Sequence, residues 1–185
     1  MTDKRDHLQQ LAQVHVQRGG LKGLSFRTLA DEAGIKSSSV HYYFPEKADL
    51  AAALIERYAE ALMAELEQIS GRQNWSLRRK LTAFAGIFEA VAKDDAVCLC
   101  GMLAAENDNL SDSNRKQLSG VFREMEKWLT EVFNSHSAEL ASPVPVLQLA
   151  RSVIAGLEGA LLIDRVAGNR QCFAAQKAVM LSYLA

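Results

Sequence analysis

The side chains with the most chemistry to offer lie in one run near the start of the chain: Lys36, Ser37, Ser38 and Ser39, followed by His41 and Tyr42. A cation, short hydroxyls and two rings able to hydrogen-bond are the groups that reach phosphate oxygens and base edges. At the beginning of a helix they would be joined by unpaired backbone amides that favour anions. Other groups offer less. Cys98 and Cys100 are two residues apart, about 200° around a helix, and cannot both face one metal. His7, His15, His41 and His136 show no spacing that matches a zinc site, so neither metal nor cofactor is expected. Asp94 and Asp95 form a carboxylate pair that reads as a solvated turn at a helix end. There is no nucleophile-elbow sequence and no phosphate-cradling glycine loop, so an enzyme is not expected. Cys98 and Cys100 each have two readings, a thiol that senses electrophiles or oxidants and a small buried apolar residue.

The elements that must hold these groups are helices. Apolar residues recur at spacings of three and four, and alternating strand-like runs are absent. The pattern predicts a helix over residues 4–18 with Leu8, Leu11, Ala12 and Val14 inward, stopped by Gly19 and Gly20. A short helix over 26–33 follows, capped by Ser25 and ended by Gly34. A third, capped by Ser37, reaches Phe44 before Pro45 breaks the chain. Longer helices are predicted over 47–69, 76–93, 97–107, 111–135, 146–166 and 171–184. The fold class is all-α: a three-helix head, residues 1–47, on a larger helical body, residues 48–185.

The offsets in the head are those of a helix-turn-helix. Leu29 packs inward, Ala30 permits a close helix crossing, Ala33 faces the core, Gly34 makes the turn, Ile35 fills the space after it, and Val40 and Tyr43 anchor the second helix. Charge adds nothing to this. The chain carries 21 Lys+Arg against 22 Asp+Glu, a net −1, so any nucleic-acid contact must come from local placement of cations. The polar start has no signal-peptide core, no apolar stretch approaches a membrane span, and the 3 cysteines do not form a disulfide framework. A cytoplasmic protein without a membrane partner is therefore expected.

The segment from Leu24 to Leu50 resembles the DNA-binding signature of the TetR/AcrR repressor family, whose features appear as Leu29-Ala30, Ala33-Gly34-Ile35, Phe44, Lys47 and Leu50. The resemblance implies double-stranded operator DNA as partner. Thr28 would touch the DNA backbone, while Ser38, Ser39 and Tyr42 address the operator from the recognition helix with Lys36 and Ser37 at its start. Lys47 would contact phosphate. His41 stands where the family commonly has a phosphate-contacting tyrosine, and Tyr43 where histidine is frequent.

For the body, the helix around residues 150–166 is apolar almost all round, which requires burial on both sides. One side is assigned to a second subunit, with Gly156 and Gly159 allowing a neighbouring helix to approach; the resemblance likewise implies a homodimer built on the last two helices. It also implies a small-molecule inducer in a body cavity, for which the candidate lining residues are Phe84, Phe88, Cys98, Met102, Phe122, Met125 and Trp128. The expectation is a repressor released from a palindromic operator by a small-molecule or thiol-reactive inducer. Its rival is a helical carrier or interaction module without DNA binding.

Overall fold

A computed structural model describes residues 4–92 and 96–185; Lys93, Asp94 and Asp95, the carboxylate pair included, lie outside the described residues. The helices are α1 Lys4–Gly23, α2 Phe26–Ala33, α3 Ser37–Tyr43, α4 Lys47–Ser70, α5 Leu77–Ala92, α6 Leu99–Ala105, α7 Asp112–Ser135, α8 Val146–Ala167 and α9 Gln171–Ser182. Short 3-10 turns occupy Asn107–Asn109 and Ser137–Glu139. The protein is all-α, with the three helices of the head at its start.

Two compact units are present. The first comprises Met1–Glu60 and Leu99–Gly120, the second Ala61–Cys98 and Val121–Ala185. The first holds α1, α2, α3, α6 and part of α4 and α7. Its core is Leu8, Ala12, Val16, Leu29, Val40, Phe44, Leu50 and Leu54, all buried. In the second, α8 and α9 pack on each other and on α5. Phe84 anchors that core, stacked on Trp128 at 5.3 Å between ring centroids and edge-on to Phe88 at 5.3 Å.

The local differences from the sequence pattern have simple causes. Helix α1 does not stop at Gly19 but breaks at Gly20 (φ 78°, ψ 164°) and makes a further turn to Gly23. Val14 is 46% exposed and Val16 takes the inward position, because α1 turns its Leu8–Ala12–Val16 row to the core. Ser37 is the first helical residue of α3 rather than its cap; extended Lys36 is the cap and makes no side-chain bond there. Helix α8 corrects the expectation that nothing approaches a membrane span, since by length and composition it passes, with a mean hydropathy of 1.6. Its inner row of Leu149, Val153, Leu157 and Leu161 is buried, and it carries Glu158 and Asp164 among those apolar residues.

Candidate functional site

The head is built by caps and one glycine. Ser25 Oγ accepts the Thr28 amide at 3.0 Å, starting α2. Gly34 ends it in the left-handed region (φ 65°, ψ 32°), and the Ile35 amide bonds back to Ala30 O at 3.0 Å, closing the helix end. Helix α3 then leaves with Val40 buried and the opposite side in solvent. Lys36, Ser37, Ser38, His41 and Tyr42 are exposed and Ser39 is half-buried. Tyr42 is 81% exposed, a large ring projecting from the head with only Tyr43 as an edge-on neighbour among the rings, at 5.2 Å. Ser38, Ser39, Tyr42 and Tyr43 share a cleft of about 230 Å³ with Lys4 and Ile35.

Three expected contacts acquire local detail. Thr28 Oγ1 is hydrogen-bonded to Ser25 Oγ at 2.7 Å and remains exposed. His41 packs edge-on to Phe26 at 4.9 Å, and its Nδ1 lies 3.3 Å from Pro45 O. Against a carbonyl, Nδ1 must carry the proton, so the neutral ring is left with Nε2 as an acceptor; donating to phosphate requires the doubly protonated ring. Lys47 donates its ammonium to Leu21 O at 3.4 Å and Lys22 O at 3.2 Å, neutralising carbonyls at the end of α1.

The same end of α1 is held from α6. Glu106 accepts the amides of Leu21 at 2.5 Å and Lys22 at 3.2 Å. A Cβ on Gly20 would lie 2.3 Å from Glu106 Oε1, so glycine is required there by both the backbone angle and the carboxylate. Asn114 and Gln117 of α7 donate to Ala48 O at 3.0 Å and Ala52 O at 3.1 Å of α4. Residues far along the sequence therefore grip the backbone at the end of α1 and near the start of α4. Sequence reasoning missed Glu106 and Lys4; only the chain path that brings α6 back to α1 could reveal the first.

Of the seven body candidates, Met102 falls in the first unit and the others in the second. Phe84, Phe88 and Trp128 meet ring to ring; Met125 is buried and Phe122 half-buried. Cys98 is buried and shares a hydrogen bond with Glu158, which burial, with the thiol beside it, holds well above the ordinary carboxylate range. Glu158 Oε1 has no hydrogen-bond partner among the described residues. Asp164 is also buried but fully used, accepting the amides of Cys172 and Phe173 at 2.8 Å each and so capping α9 from α8. Among the described residues no group of His, Cys, Asp and Glu is placed to hold a metal.

Fold and site together define a class: a helical DNA-binding regulator with a helix-turn-helix head. Residues 13–54 match the profile of the bacterial regulatory proteins of the tetR family. It is 31% identical over 88 residues to the HTH-type transcriptional repressor KstR2 of Mycolicibacterium smegmatis, a match covering 48% of this chain and 43% of that protein. It is 26% identical over 166 residues to the nucleoid occlusion factor SlmA of Vibrio campbellii, covering 86% of this chain and 83% of the relative. Among solved structures, a TetR-family regulator from Agrobacterium tumefaciens superposes with a TM-score of 0.91 at 27% identity, covering 98% of this chain and 97% of that one. A TetR regulator from Legionella pneumophila gives 0.90 at 25%, covering 100% and 99%. The matched profile and the superposed structures are those of transcriptional regulators.

Proposed function

We propose that the protein is a cytoplasmic transcriptional repressor that binds a palindromic operator as a homodimer and is released by a small molecule held in its second unit. The observation that carries the reading is the outer side of α3: Lys36, Ser37, Ser38 and Tyr42 stand in solvent next to buried Val40 and Phe44. A carrier or interaction module has no use for such a face. Base edges would be addressed by Ser38, Ser39 and Tyr42, and phosphates by Lys36, Ser37, Thr28 and His41. Lys47 would act chiefly by fixing the end of α1.

The dimer rests on α8 and α9. On the sides not packed within the chain, Leu162, Ile163, Val166 and Val179 are exposed, with Ala155, Ala174 and Ala178 in solvent alongside. An apolar face of this kind is what a symmetric subunit contact uses. Gly159 is open toward that face, whereas Gly156 serves the chain's own packing, since a Cβ there would meet Gln176 Nε2 at 2.1 Å. Two heads are then available to read two half-sites. Cys98, buried in the second unit, is the thiol that a reactive inducer would have to reach, so the inducer is read as a small molecule or a thiol-reactive compound.

The test is selection of bound sequences from a random duplex pool by the purified protein at near-physiological salt. A palindrome should be enriched, and Tyr42→Ala should lower affinity for it by about tenfold or more, the scale of one well-placed specific contact. Enrichment of nothing by folded dimer would leave the carrier reading in its place. A second reading, nucleoid occlusion factor, is favoured by a match that spans 83% of that relative. Mapping occupied sites on the chromosome separates the two, a repressor concentrating at promoters and the alternative spreading across the nucleoid.

A further inference from the structure

The second unit contains a cleft of about 450 Å³ where the end of α4, the first turn of α5 and the last turns of α7 meet. Its walls include Ser70, Lys80, Trp128, Glu131, Ser135 and His136. Lys80 is the unusual member. It is only 6% exposed, and it stands in the first turn of α5, where the helix dipole disfavours a cation. An ammonium has three hydrogens to donate. The contact found for this one is Ser70 O, at 3.5 Å, the outer limit of a hydrogen bond, and the described ion pairs do not include it. A buried cation without a counter-ion is unfavourable. An anion arriving from the cleft removes that penalty.

The remaining walls say what should carry the anion. Trp128 is held rigid, its indole N–H shared between Leu66 O at 3.1 Å and Ser70 Oγ at 2.8 Å, and it presents an apolar ring to the cleft. Glu131 is the opposing charge, but it is exposed and therefore screened by water in a way that Lys80 is not. The volume lies within the range of roughly 300–1,000 Å³ usual for small-molecule sites. We propose that this cleft binds an organic carboxylate, its head on Lys80 Nζ and its apolar body against Trp128. The proposal deepens the inducer reading by naming a ligand class. Its test uses the protein without DNA, so its failure leaves operator binding untouched.

The chain has 2 tryptophans, so Trp75→Phe leaves Trp128 as the single reporter inside the cleft. In that background, Trp128 fluorescence is titrated with 4-phenylbutyrate, octanoate and the neutral 4-phenylbutanol. At least one acid should give a saturable change, with phenylbutyrate binding about tenfold or more tighter than the alcohol, as a charge-assisted contact requires. Lys80→Met should remove the preference for the acid while leaving the alcohol's weak binding in place. Glu131→Gln, a surface change that leaves the fold intact, should tighten the acid a few-fold and so keeps the question decidable if Lys80→Met fails to fold. Equal affinity for acid and alcohol, an unchanged acid affinity in either charge variant, or no saturable response to either acid overturns the proposal.

Discussion

Glu158 illustrates how burial turns one side chain into a pH-dependent load on the fold. It sits on the inner side of α8 with one carboxylate oxygen unpartnered among the described residues and the other group shared with Cys98. Desolvation raises its proton affinity in the folded state above the ordinary value of 4.5. The unfolded chain therefore releases the proton first as pH rises. Stability from the neutral carboxyl is complete below pH 4.5 and falls, by at most about 1.4 kcal/mol per pH unit, until the folded-state group ionises too. Glu158→Gln cannot ionise. Its melting temperature should gain on the native protein as pH rises above 4.5, by roughly 2–4 °C for each kcal/mol removed. Parallel melting curves across that range would show that Glu158 is not buried as a neutral acid. Gly20 offers a second single-residue test. At φ 78° and ψ 164° it occupies a region nearly closed to other residues, and Glu106 blocks the space a Cβ needs. Gly20→Ala should cost about 1–3 kcal/mol from the backbone alone, plus the clash. Combining it with Glu106→Ala should cost less than the sum of the single changes in urea denaturation. Strict additivity would mean that the carboxylate does not sit there.

At the scale of the element, α8 and α9 do two jobs with two faces. The inner side builds the second unit's core, and the outer side leaves Ile163 at 57% and Val166 at 92% exposure. If that side is the subunit contact, Ile163→Glu buries a charge in it and should shift sedimentation from dimer to monomer at micromolar protein without changing the far-ultraviolet spectrum. A variant that stays fully dimeric places the contact elsewhere. The helices themselves were readable from the chain because their signals are local: Ser25 before α2, Gly34 after it, Pro45 ahead of α4 and apolar residues at spacings of three and four. The exposed side of α3 was readable for the same reason, since Ser38 and Tyr42 are exposed by the period that buries Val40. What could not be read depends on partners distant in sequence. Lys47 bonds carbonyls 25 and 26 positions away, and Glu106 bonds an amide 85 positions away. Composition and periodicity also could not distinguish Lys80, which is buried, from Arg78 and Arg79 beside it, which are exposed.

For the whole molecule, the near-neutral charge decides how it can hold DNA. With a net charge of −1 there is no bulk field to draw the duplex in, so affinity must come from a few cations placed by the head. Each phosphate neutralised contributes roughly −0.9 to the slope of log affinity against log salt. The proposed homodimer would use every such contact twice. Lys36, exposed at the start of α3, should therefore lower the slope by about two when changed to glutamine in both subunits. Tyr42→Ala should reduce affinity with the slope intact, because the side chain is uncharged. Lys47 distinguishes a phosphate contact from a structural cap. Its ammonium is already engaged by Leu21 O and Lys22 O, so Lys47→Gln should act mainly on head stability and leave most of the slope in place. A loss of slope equal to that of Lys36→Gln would instead mean that Lys47 leaves those carbonyls for phosphate on binding. The end of α1, held by Lys47 and Glu106 together, would then be the part of the head that DNA rearranges.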